Sequence, residues 1–208
     1  SKAAVGGFAD LTDVVNVGTS ALDSYRAQGL KLTKALDTMF MASKFGKLEF
    51  KDLAQSLGPL LPIAASAGVS FEEAAAGVAA LTRAGFATPE AVTALRGALV
   101  QIYRPTSDAA EAAKELGIKF DVATLKSKGL KQFMIELASA TKNLPNREEM
   151  LGKLFGDVRG LAGVLALTAD NSRLLTEGLD AMAGSAGAVD DAFNTVKEND
   201  IRALWNHD

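Results

Sequence analysis

The side chains able to carry chemistry are few and poorly placed for it. The single histidine is His207, second from the end of the 208 residues. A Ser-His-Asp relay or an imidazole metal site would have to draw on it from a chain terminus, where order is poorest. The chain has no cysteine, so thiolate nucleophiles, disulfides and cysteine-ligated metals are excluded. Ser139-Ala140-Thr141-Lys142 has the Ser-x-x-Lys spacing in which a lysine amine activates a serine. The Ser-Asp-Asn and Lys-Thr-Gly elements that complete such a site are absent, so this reads as a chance match at a helix end.

Two carboxylate pairs, Glu72-Glu73 and Glu148-Glu149, have the composition of an acid/base couple. Each falls in the first turn of an expected helix, where negative charge meets the positive end of the macrodipole, and that structural role fits better. Lys119, Lys126, Lys128 and Lys131 lie beside Phe120 and Phe133, the mixture that can grip a nucleic acid. The formal charge of −3, from 22 basic and 25 acidic residues, supplies no field to hold one, so a solvated loop is the better reading. Gly152, Gly156, Gly160 and Gly163 have the spacing of close helix contact in membranes, but Lys153, Asp157 and Arg159 interrupt it. Gly156 is expected to break a helix, with Gly160 and Gly163 admitting another backbone in the core. With no nucleophile–base pair and no carboxylate cluster, the expectation is a protein without catalytic residues, cofactor or metal.

The elements behind these residues are helical. Residues are 48% hydrophobic, 23% charged and 6% aromatic, with Ala and Leu making up much of the apolar share. The apolar stretches from Leu60 to Ala67 and from Leu161 to Ala169 fall well short of the ~20 residues that span a bilayer. Ser1-Lys2-Ala3-Ala4 is neither an initiator Met nor the start of a signal peptide, which predicts that the chain is part of a longer polypeptide.

Gly and Pro cut the chain into roughly eight to ten short helices. The pattern predicts helices from Asp10 or Thr12 to near Gly29, from Lys31 to Phe45 with Gly46 as its stop, and from Leu48 to Ala67 with a break at Pro59 and Pro62. Ser70-Phe71-Glu72-Glu73 is a capping box opening a helix to about Ala84, stopped by Gly85. Thr88-Pro89 opens another, with Thr88 as N-cap and Pro105 beyond its end. A short helix from Ala109 stops at Gly117. Ile118 to Lys128 reads as the one non-helical phrase, with Ile118 and Phe120 alternating against Lys119 and Asp121. Helices resume over Leu130–Lys142, Arg147–Phe155 (capped by Asn146), Val158–Thr168, Ser172–Met182 and Val189–Trp205. The fold class is therefore all-α: multiple short helices joined by Gly/Pro turns, with at most one short extended segment near 118–125.

Several phrases in order resemble the shared domain of phage tail tape measure proteins. Gly58-Pro59-Leu60-Leu61-Pro62-Ile63-Ala64-Ala65-Ser66-Ala67-Gly68-Val69-Ser70-Phe71-Glu72-Glu73 has that family's helix ending in Pro-Ile-Ala, small linker and Gly-Val-Ser-x-Glu-Glu. Leu81-Thr82-Arg83-Ala84-Gly85-Phe86, Ala94 to Leu99, Arg104-Pro105-Thr106, Ala112 to Ile118, Leu154 to Leu167 and Ser185 to Ala188 follow in sequence. The match runs over about Asp10 to Lys197 and divides the chain into an N-terminal helical flank (1–30), a tape-measure-like helical domain (31–185) and a terminal helix (186–208) expected to continue into a longer chain.

The resemblance implies a structural and assembly protein of the phage tail. Such a protein is made in the bacterial host cytoplasm, occupies the tail tube or tip, sets tail length and is released during genome delivery. It also implies partners: further copies along the tail axis and tail tube, tip or baseplate proteins. Specific nucleic-acid binding is not expected, and membrane contact would come only through other parts of the full-length chain. The alternative is a membrane-active or adaptor helical protein acting by helix–helix interaction. From helical spacing, Val189, Phe193, Val196, Leu204 and Trp205 share one face of the terminal helix, an apolar stripe that needs cover and the candidate self-association or partner face.

Overall fold

A computed structural model describes the backbone of residues 9–205 and the side chains of residues 9–198. Among these residues every regular element is a helix: α1 (Leu11–Ser24), α2 (Leu32–Gly46), α3 (Phe50–Ser56), α4 (Leu61–Ser66), α5 (Phe71–Arg83), α6 (Thr88–Tyr103), α7 (Ser107–Leu116), α8 (Val122–Thr141), α9 (Arg147–Phe155), α10 (Val158–Thr168), α11 (Arg173–Ala183) and α12 (Ala188–Trp205). Short 3-10 turns cover Arg26–Gln28, Gly58–Leu60 and Ala169–Ser172. The helices outnumber the eight to ten expected, partly because Pro59 and Pro62 split the Leu48–Ala67 phrase into α3, a 3-10 turn and α4.

At the centre lies α5. Phe71, Ala74 to Ala80 and Leu81 are all buried, so this helix meets neighbours on every side and has no solvent face beyond its ends. Its alanines and Gly77 make that geometry reachable: a Cβ on Gly77 would stand 2.9 Å from a Leu95 methyl. On one side α2 and α11 pack against α5, and on the other come α6 and α10. The α6–α10 seam is made of small residues. A Cβ on Gly163 would lie 2.9 Å from the Ala94 Cβ, and one on Gly160 would lie 3.4 Å from the Ala98 nitrogen. The glycine run is thus core packing within one chain, with Gly156 (φ 55°) ending α9.

The first-turn N–H groups of α5 have no acceptor within the helix itself. Ser70 and Glu73 meet this need as the capping box expected: the Glu73 N–H donates to Ser70 Oγ at 3.1 Å, and the Ser70 N–H donates to Glu73 Oε2 at 3.1 Å. The second Glu73 oxygen works on another helix. Oε1 accepts the N–H groups of Leu130 at 2.7 Å and Lys131 at 3.3 Å. These donors are orphaned because Gly129 (φ 78°, ψ 166°) breaks α8, so the stretch from Leu130 onward starts afresh. A side chain at 129 would be strained by that φ and would meet Glu73 Oε1 at 2.8 Å, so the kink requires glycine.

The same device recurs. Thr82 Oγ1 donates to the Gly46 carbonyl at 3.1 Å and Arg83 to the Phe45 carbonyl at 3.2 Å, closing the C-terminal end of α2 from α5. The Arg83 guanidinium also lies 4.7 Å from the Phe45 ring centre. Tyr25, beyond α1, donates its hydroxyl to the Val69 carbonyl at 3.0 Å and meets Phe71 edge-on. Burial, reinforced by the Glu73 and Glu72 carboxylates, raises its ionisation well above the usual tyrosine range and keeps it a donor.

Three local expectations are corrected. Val122–Lys128 is helical, not extended: Asp121 accepts the Thr124 N–H at 2.7 Å as N-cap, leaving only residues 118–120 irregular and no strand among the described residues. Those hydrogen bonds from Thr124 hold the Asp121 carboxyl below its usual range. Thr88 is not the cap of α6; Ala87 takes that position, Thr88 is turned inward and buried, and Glu90 accepts the Ala87 N–H at 3.2 Å. Asn146 makes no side-chain cap bond to α9. The helix α2 ends at Gly46 as expected, with Lys47 taking the left-handed turn (φ 55°), and a Cβ on Gly46 would stand 3.0 Å from the Ala79 Cα.

Because Glu73 serves two helices and Ser70 one, truncating them should differ in cost. Ser70→Ala should lower stability by about 1 kcal/mol. Glu73→Ala, which removes the partner of the exposed Ser70 N–H at the α5 cap and orphans the partly buried Leu130 and Lys131 N–H groups of α8, should lower it by about 2 kcal/mol or more. Denaturant midpoints of the two variants decide the matter; equal losses would mean that the bond to α8 contributes nothing.

Candidate interaction surface

The residues with chemical potential do not assemble. Ser139 is exposed on α8 and Lys142 sits exposed at its C-terminal end. Glu148 and Glu149 occupy the first turn of α9, with Glu149 paired to Lys153 at 3.0 Å along the same helix. Among the lysines of the basic patch, Lys128 is paired with Glu136. Phe120 and Phe133 are buried, with the Phe120 ring 5.2 Å from that of Phe155, so they form core and offer no stacking platform to a base. No group of three or more His, Asp or Glu among the described residues is arranged to hold a metal. His207 lies outside the described residues.

The terminal helix is the element the body does least to cover. Its start is fixed firmly: Asp37 on α2 accepts the N–H groups of Gly187 at 2.9 Å and Val189 at 3.0 Å. Gly187 (φ 80°) makes the turn that brings those donors round to the carboxylate. Val189 is buried against the core. One turn later cover fades: Phe193 is half-buried and Val196 is 41% exposed. The stripe expected from the sequence therefore begins in the core and emerges from it. The Leu204 and Trp205 side chains lie outside the described residues. No window of sequence signals Asp37, which is about 150 residues distant in the chain.

A second exposed apolar feature lies on the opposite group of helices. Between the start of α6 and the start of α10 runs a groove of about 410 Å³ lined by Phe86, Pro89, Glu90, Thr93, Ala94, Val158, Arg159 and Ala162. Val158 is 80% exposed at the first position of α10. The sequence reading missed it, because the groove is formed by residues of α6 and α10 that are about 65 positions apart in the chain.

Over residues 1–156 the sequence matches the family described as phage-related minor tail protein. The chain belongs to this family. It is 31% identical over 192 residues to a tape measure protein of Pneumococcus phage Dp-1, an overlap of 90% of this chain and 17% of that protein. It is 29% identical over 171 residues to a probable tape measure protein of Escherichia phage P2, covering 78% of this chain and 20% of that protein. The chain thus spans a fifth or less of the length of these relatives. No solved structure matches it. The likeness to tape measure proteins read from the sequence phrases is borne out. The family is one of structural phage tail proteins, not a class of enzymes, and it places the chain with the virion tail.

The anchoring of α12 rests on one carboxylate. Asp37→Ala should leave the body folded while releasing the first turn of α12. Amide hydrogen exchange at Val189 to Phe193 should then quicken by at least tenfold relative to exchange in α5. Unchanged protection there would show that Val189 packing alone holds the helix.

Proposed function

We propose that this chain is a folded docking module of a tape measure protein. The module lies in the tail tube lumen or at the tip, and the longer polypeptide sets tail length and leaves the tail during genome delivery. The observation that carries this reading is the contrast between a closed body, built on the buried helix α5, and a terminal helix that is capped at one end and emerges with an apolar stripe. A helix advances ~1.5 Å per residue, so a long helical chain can measure a tube. This body cannot serve as that ruler, because Gly and Pro fold its helices back on one another within a short span. Length would be measured elsewhere in the longer chain, while this module provides contacts.

The reading assigns Val189, Phe193, Val196, Leu204 and Trp205 to a face that packs against further copies of the chain or against tail tube, tip or baseplate proteins. Val189 anchors the helix to its own body, and the residues beyond it are the ones offered outward. Symmetric copies about a tail axis would bury such a stripe between subunits. The module itself carries out no catalysis. A membrane-active reading is not favoured, since no helix of the described residues is long and apolar enough to cross a bilayer.

Light scattering on the purified chain should show a mass above that of one 21.7 kDa copy, rising with concentration. Phe193→Asp, which places a charge on the emerging stripe, should shift the association midpoint by at least tenfold in concentration. A chain that stays monomeric at every accessible concentration would refute self-association.

A further inference from the structure

We propose that the pocket where the α8–α9 and α10–α11 turns meet binds a carboxylate presented by another polypeptide, with the Arg147 guanidinium as its main contact. This adds a contact to the docking reading and does not rest on α12. Arg147 and Lys142 line a cavity of about 370 Å³ together with Thr168, Asp170 and Asn171. Every other arginine among the described side chains is exposed, and Arg147 alone is half-buried. Its guanidinium donates to a neutral group, the Thr168 hydroxyl, at 2.8 Å. That hydroxyl donates onward to the Val164 carbonyl at 2.7 Å. Neither Arg147 nor Lys142 forms an ion pair among the described residues.

The acidic groups nearby are engaged or turned elsewhere. Asp170 is held by Arg173 at 2.8 Å, and Arg173 is shared with Glu177 at 2.9 Å. Glu149 is paired with Lys153, while Glu148 is exposed and does not line the cavity. Helix dipoles offset one another here. The ends of α8 and α10 bring negative poles to the corner, and the starts of α9 and α11, neither with a side-chain cap bond, bring positive ones. A positive excess on Lys142 and Arg147 remains. Beside it, Asp170, Asn171 and Ser172 take φ of 49°, 53° and 61°, a left-handed run without glycine. Such conformations are costly and cluster where a fold clamps a ligand.

A guanidinium and an ammonium offer only donors, so the missing partner is an acceptor, and the unbalanced charge makes it an anion. Glu148, Asp170 and Glu177 would repel the successive phosphates of a nucleic acid. One carboxylate adds a single charge and matches the planar guanidinium fork.

The test titrates N-acetyl-aspartate amide, its neutral counterpart N-acetyl-asparagine amide, and inorganic phosphate into the 15N-labelled chain at fixed ionic strength. The aspartate compound should give saturable amide shifts confined to residues 142–147 and 168–173, and the asparagine compound none. Arg147→Gln should weaken binding at least tenfold, and Arg147→Lys by less, because the charge survives while the fork is lost. Lys142→Gln should weaken it several-fold, Asp170→Asn should tighten it, and Arg96→Gln should leave it unchanged. The exposed positions 142 and 170 keep the test decisive if Arg147→Gln loses native helicity. Equal shifts from both amides, or none from either, would overturn the site. Tighter binding of phosphate than of the aspartate compound would overturn the choice of a carboxylate.

Discussion

The carboxylate of Glu73 is the interaction on which the arrangement of this molecule depends. One oxygen completes the cap of α5, the helix around which everything else packs, and the other accepts the N–H groups of Leu130 and Lys131. Without it, the helix-start donors at the α8 kink would be left partly buried and unpaired, and the exposed Ser70 N–H would lose its partner in the α5 cap. The position of α8 against α5 is thus fixed by a polar constraint, while apolar burial supplies the driving force. Gly129 and Glu73 form one unit: the glycine permits the break and the approach, and the carboxylate satisfies what the break exposes.

Short helices rich in Ala and Gly each bury modest apolar area, so an assembly of them stands close to the limit set by ordering entropy. The chain answers this with closeness and with end-sharing. Gly77, Gly160 and Gly163 bring backbones together where larger residues would separate them. Glu73, Thr82, Arg83 and Asp37 each close an end of a helix other than their own. The body becomes one polar and apolar network, and the first turn of α12 is anchored to it. A body of this kind holds its own shape, which suits a member of a structural tail family.

Much of this was legible in the sequence, and the parts that were not share a physical cause. The Ser70 capping box, the breaks at Pro59, Pro62, Gly85 and Gly117, and a fresh helix start near Leu130 depend on residues within one turn of each other, and all read correctly. The likeness to tape measure proteins also rested on contiguous phrases. The errors at Thr88 and Asn146 came from reading local preference where the full fold decides: Thr88 is drawn into the core, and Asn146 makes no side-chain cap bond. The Asp37 cap and the Val158 groove join residues that the fold brings together from far apart in the chain, so no window of sequence contains them. Asp121 was within reach, since an Asp three residues before Thr124 is a cap signal; the short alternation at Ile118–Asp121 obscured it.

The central claim is that the body is closed and the terminal helix is the element through which copies meet. Sedimentation equilibrium of the chain beside a version ending at Gly184 tests it most directly. The account predicts that the chain associates reversibly and that the shortened body, still helical, sediments as a monomer at the same concentrations. Association of both to the same extent would contradict it, because the contact would then lie in the body and not in α12.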